Sequence, residues 1–155
     1  MPRLDIHSSD SRTHMLSNFY PHAFTMDTIA YASMEAFLQC LKFPPGSHLD
    51  EWAKCTQLSG FAAKKFGQTA PDWRKRGVLH YGNAEIDRQS QDYQDLLDRA
   101  YIFLYDQNED FRSALKATRG YELEHTIGKR VTRQTVLTEE EFVTRLMKLR
   151  EHGDK

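Results

Sequence analysis

Cysteine, glycine, proline and charge of one sign are all scarce in this chain of 155 residues, and each shortage excludes a class of protein. Cys40 and Cys55 are the only 2 cysteines and no Cys-x-x-Cys occurs, which excludes a disulfide framework or a zinc ribbon. Free, largely buried thiols in a reducing cytoplasm are the expectation. With 8 glycines and 5 prolines, the chain holds no low-complexity tract, internal repeat or interdomain linker. A formal charge of −1 gives no bulk attraction to a polyanion. No apolar run approaches the ~20 residues of a membrane helix, and the charged start Met1-Pro2-Arg3-Leu4-Asp5 does not read as a signal peptide. Gly-rich phosphate loops, His-Glu-x-x-His and Gly-x-Ser-x-Gly are absent. The 7 histidines are scattered without ligand spacing, so neither a metal nor a cofactor is expected.

What is present suits one domain over residues 1–155, long enough to bury a substantial core. Charge is unevenly spread. Lys54, Lys64, Lys65, Arg74, Lys75 and Arg76 face only Asp72 within their stretch, a region able to meet phosphate. The stretch from Glu85 to Glu124 is acidic, with twice as many acids as bases.

Local patterns predict a helix-rich α+β chain with a short β portion near the N-terminus. Leu4-Asp5-Ile6 reads as a strand, and Met15 to Pro21 as an edge strand or packed loop. Ala23–Met26 and Ile29–Tyr31 flank Asp27-Thr28 as a hairpin. Ser47 with Asp50 predicts a capped helix, Ser59 another over 60–66 with Gly67 as its C′ residue, and Pro71 a helical first turn. Asn83 is expected to cap the longest helix, about 84 to 106, and Asn108 the next. Tyr121 to His125 alternates like a strand, and Thr138-Glu139-Glu140-Glu141 is a capping box opening the last helix.

The stretch that organises the rest is Ser33-Met34-Glu35-Ala36-Phe37-Leu38-Gln39-Cys40-Leu41-Lys42-Phe43. Ser33 can cap it and Pro44-Pro45 ends it. Met34, Phe37, Leu38 and Leu41 share one face, while Glu35, Gln39 and Lys42 form a polar stripe beside it. Periodicity alone favours an ordinary solvated stripe. Trp73 is either a stacking platform or a core tryptophan beside basic residues, and His125 beside Glu124 either an acid–base group or structural.

Leu16-Ser17-Asn18-Phe19, then the 33–43 stretch, then Ala63 to Gly67 with Trp73 following, resemble the successive motifs of the NADAR family, which includes the riboflavin-biosynthesis-intermediate N-glycosidases. The likeness runs from about residue 15 to 151, and its most specific part is Glu35-x-x-x-Gln39-x-x-Lys42-Phe43. It implies a mostly helical α+β NADAR-like domain and a hydrolase of N-glycosyl bonds to ribose. The family's substrate classes are ADP-ribose attached to guanine in nucleic acid and phosphorylated intermediates of riboflavin synthesis. The segment Glu124 to Arg130 is basic where many members are acidic and rich in Trp and Gly, which suits a phosphate-rich substrate. Gln68 follows Gly67 where some members have Arg, so one phosphate contact is expected to be either lost or replaced by Lys64 or Lys65.

Breaking an N-glycosidic bond builds positive charge on the ribose and requires a nucleophile at the anomeric carbon and a proton for the departing base. On the resemblance, Glu35 is the candidate carboxylate and Lys42 the candidate nucleophile, able to form a Schiff base with the opened ribose, or more plainly a holder of phosphate or leaving base. Asn18, Phe19, Gln39, Lys65, Gly67 and Trp73 are the candidate substrate-binding residues. The expected partner is ADP-ribose or an ADP-ribosylated nucleic acid. The rival reading is a module that binds ADP-ribose or NAD without cleaving it.

Overall fold

A computed structural model of the chain describes residues 2–153. The chain opens with strand β1 (Arg3–Asp5) and a 3-10 turn at His14–Leu16, then forms a hairpin of β2 (Phe24–Met26) and β3 (Ile29–Tyr31). Three helices follow: α1 (Met34–Cys40), α2 (Leu49–Cys55) and α3 (Gly60–Gly67). A second hairpin pairs β4 (Val78–Tyr81) with β5 (Ala84–Asp87). The rest is α4 (Gln91–Gln107), α5 (Glu109–Lys116), β6 (Glu122–Glu124) and α6 (Glu139–His152). β1 and β6 pair in parallel, Leu4 opposite Leu123, so the described residues hold three separate two-stranded sheets among six α-helices. This is the helix-rich α+β class that the patterns predict.

Helix α1 is the interior element. Every residue from Met34 to Cys40 is buried, Glu35 and Gln39 included, so the polar stripe is not a solvated face. Ser33 caps it as expected: its Oγ accepts from the Ala36 N–H at 3.0 Å and donates to the Leu58 carbonyl at 3.1 Å. Phe37 packs at the centre among Phe24, Tyr31 and Tyr81. Helix α4 supplies Tyr93, Leu97, Tyr101 and Leu104 to the same core, and α6 adds Phe142 and Leu146. The capping box of α6 is formed, with Thr138 Oγ1 accepting from Glu141 N–H and the Glu141 carboxylate accepting from Thr138 N–H.

Several local expectations are corrected. The predicted helix from residue 84 begins at Gln91, capped by Ser90, and residues 78–87 are the β4–β5 hairpin. Gly82-Asn83 is its two-residue turn, with Gly82 at φ +58°, and not a helix cap. Pro71 opens no helix, because the Asp72 carboxylate accepts from the Arg74 N–H and draws residues 74–77 into a turn. His48 stands at the N-cap of α2, while Ser47 Oγ is engaged with His48 Nδ1. Gly67 is the last residue of α3 and not the residue beyond it. Of Met15 to Pro21, Met15 and Leu16 belong to the 3-10 turn and 17–21 follow it as a loop, so no edge strand forms there.

Candidate active site

The polar side of α1 opens into a cavity of about 250 Å3, lined by Asn18, Glu35, Gln39, Lys42 and Trp73 among others. Its far wall is the segment His125–Lys129 with Gln134–Thr138, and its rim carries Lys64, Arg74 and Lys129. The sequence stripe therefore becomes one wall of a hole.

Glu35 lies deepest. Burial pushes its carboxyl above the ordinary 4.5, against the opposing pull of the Gln39 amide and of the Lys42 and Lys64 charges. Gln39 Nε2 donates to Glu35 Oε1 at 2.8 Å, one helical turn along α1. Gln39 Oε1 has no hydrogen-bond partner and faces Gly67: a Cβ at position 67 would lie 1.8 Å from it. Gln39 therefore holds the carboxylate in place, with its donor on Glu35 and its acceptor against α3. Gly67 is absent from the cavity wall and acts by letting α3 approach Gln39.

Lys42 sits in the turn just past α1, its N–H bonded to the Gln39 carbonyl at 3.1 Å. The side chain is half-buried and makes no ion pair within 4.0 Å among the described residues. Burial lowers its pKa from 10.5; Glu35 opposes that shift, and the Arg74 and Lys129 charges assist it. The two shifts thus run toward one another on the pH scale, the direction that an acid–amine pair requires.

Asn18 is fixed from both sides. Its carbonyl accepts from the Glu35 N–H at 3.1 Å and its Oδ1 accepts from Tyr101 Oη at 2.8 Å, which leaves the amide N–H donors for a ligand. Tyr101, which holds Asn18, is missed by the sequence pattern, although it falls at helical spacing from Tyr93 and Leu97. Trp73 is only 6% exposed and the Arg74 guanidinium lies 5.6 Å from its ring centroid, so the indole is a core residue with one edge on the cavity. Its Nε1–H is buried without an acceptor. Arg74 also donates to the Gln134 carbonyl, joining the two loops of the rim. Phe19 lines the cavity, whereas Lys65 is exposed on α3 and Lys64 takes the place on the wall that either lysine was expected to fill. His125 also lines it, with Nδ1 against the Ile6 carbonyl at 2.9 Å. Gly128 closes that turn, where a Cβ would come within 2.7 Å of His125 Cδ2.

A family model described as bacteriophage protein GP30.3 matches residues 11–151. The chain belongs to the GP30.3 family. Within the range of the family match lie both hairpins, the stripe on α1 and every lining segment named above. A relative of enterobacteria phage T4, an uncharacterized 17.1 kDa protein in the Gp30-rIII intergenic region, is 35% identical over 137 residues, 88% of each chain. The NMR structure of the E. coli protein YbiA superposes with a TM-score of 0.64 at 16% identity, over 99% of this chain and 85% of that one. This chain therefore shares the fold of YbiA.

Proposed function

We propose that the protein is an N-glycosidase that removes ADP-ribose from guanine in nucleic acid. The observation that carries this reading is the meeting in one cavity of a buried Glu35, whose pKa burial pushes up, and a half-buried Lys42, whose pKa burial pushes down and which has no ion pair among the described residues. A binding module has no use for such a pair, since each group costs stability by its burial. At about 250 Å3 the cavity is small for a whole dinucleotide, against roughly 300–1,000 Å3 for ordinary ligand sites. It takes the reacting ribose and part of a ring, and leaves the diphosphate at the rim with Lys64, Arg74 and Lys129.

The chemistry follows. The neutral Lys42 amine attacks the anomeric carbon while the bond from that carbon to the guanine nitrogen breaks, and Glu35 gives its proton to the departing base. The Glu35 carboxylate then takes a proton from the new C–N⁺ linkage and gives it to the ring oxygen as the bond from the anomeric carbon to that oxygen breaks, which opens the ribose to a Schiff base protonated on nitrogen. Water hydrolyses the imine, returning the amine of Lys42 and releasing ADP-ribose. Asn18 N–H donors and the Trp73 Nε1–H, both lacking a protein acceptor, meet ribose or phosphate oxygens. The test is incubation with guanine-ADP-ribosylated DNA, with ADP-ribose release as readout. Release by the wild type and none by Lys42→Ala supports the reading. Binding of ADP-ribose without release would replace it by a reader, and cleavage confined to phosphorylated riboflavin intermediates would replace the substrate.

A further inference from the structure

Phe61 is the most exposed large apolar residue described, at 73%, and it is not a stray side chain. It stands on α3 three residues before Lys64 and seven before Gln68, spacing that puts all three on one helix face with Lys65 beside them. Lys64 and Gln68 line the cavity, so Phe61 continues that wall outward. Its ring is held edge-on against Phe19, centroids 4.9 Å apart at 72°, and Phe19 also lines the cavity. Across the mouth, Ile127 is 64% exposed, and Lys129 lies two residues beyond it.

Lys64 and Lys65 on the same helix and Lys129 across the mouth have no ion pair among the described residues, in a chain whose formal charge is −1. A held aromatic face bordered by unneutralised cations is what unpaired nucleic acid binds: bases stack on the ring and phosphates lie on the lysines. Duplex bases are stacked on one another and offer no free face.

We infer that the ledge formed by Phe61 and Phe19, with Lys64, Lys65 and Lys129, is a single-strand nucleic-acid site that stacks a base flanking the nucleotide in the cavity. This rests on the glycosidase reading for its biological setting, but binding of unmodified DNA needs no turnover, so the two fail separately. The experiment is fluorescence anisotropy of a labelled, unmodified DNA of about 12 nucleotides, within the span such sites cover, single-stranded and as duplex, with the wild-type protein. The single strand is expected to bind more tightly than the duplex, and Phe61→Ala to weaken it by roughly tenfold while Phe61→Trp restores it. Lys65→Ala with Lys129→Ala should flatten the salt dependence by about 1.4 in the slope of log K against log salt. Phe61 is so exposed that its substitution leaves the thermal midpoint unchanged. Equal binding by wild type and Phe61→Ala, or equal affinity for the duplex, overturns the proposal. So does self-association through Phe61 in sedimentation, or binding to anionic phospholipid vesicles with none to DNA.

Discussion

At the scale of single residues, the account turns on two groups whose ionisation is disturbed in opposite senses by the same burial. Glu35 has its pKa raised in the folded protein, so its contribution to stability is complete below the unfolded value of 4.5 and is lost as the pH rises through the folded value. Glu35→Gln removes that loss. The variant is expected to be more stable than wild type at neutral and alkaline pH, to converge with it in acid, and to lose about 10²- to 10⁴-fold in turnover. Thermal unfolding across pH and a release assay check the two halves separately. Gly67→Ala is a second residue-scale test. Its methyl would meet the Gln39 amide, so it must displace Gln39 and with it the 2.8 Å bond to Glu35. Lost activity is expected, together with a shifted pH–rate profile. Wild-type kinetics in the Gly67→Ala variant would show that Gln39 does not hold the carboxylate.

Among the elements, the cavity's far wall depends on an ion pair distant in sequence. Arg88 follows β5, is 1% exposed, and is bonded bidentately to Glu141 of α6 at 3.0 and 2.6 Å. Its Nε donates to the Thr135 carbonyl at 2.9 Å, and its guanidinium lies 4.7 Å from the Tyr93 ring centroid. It ties α6 and the 134–138 segment to α4. Burial acts to raise the Glu141 pKa, but the bonds from Arg88, Gln94 and Thr138 outweigh it and the net shift is downward. That stability is present above the unfolded value of 4.5 and is lost as the pH falls through the folded one. Arg88→Met leaves a buried carboxylate unpaired and should cost about 3–5 kcal/mol by denaturant unfolding, with the deficit shrinking in acid. A loss under about 1 kcal/mol, the range of an exposed pair, would mean that the bridge does not hold the wall.

How much of this is legible in sequence divides along the range of the interactions. Ser33, the α6 capping box and the β2–β3 hairpin are readable because each is fixed by near neighbours in the chain. The Gly82-Asn83 turn pair of the β4–β5 hairpin is in plain view too, but the strong helical period after Tyr93 extends backward across it and hides the strands. Glu35, Gln39 and Lys42 are visible as a stripe, yet only packing by α3 and the 125–138 segment makes it a cavity wall. The role of Gln39 against Gly67, the Tyr101 hold on Asn18 and the Arg88–Glu141 pair join positions 28, 83 and 53 apart, which no local pattern encodes. Trp73 is a core residue for the same reason: Arg74 and the loop across from it cover the ring.

At the scale of the whole molecule, a YbiA-like fold places the N-terminal loop, α1, α3, the loop with Trp73 and Arg74 and the segment before α6 around one hole, so residues from five parts of the chain meet there. The central claim is that Lys42 is the nucleophile in that hole. Its most direct test is reductive trapping: wild-type protein is mixed with guanine-ADP-ribosylated DNA and sodium cyanoborohydride, and the digest is read by mass spectrometry. The account predicts an ADP-ribose adduct as a secondary amine on the peptide containing Lys42, with none in Lys42→Ala. Rapid ADP-ribose release with no adduct on Lys42, or undiminished release by Lys42→Ala, would contradict it and leave the lysine a binding residue.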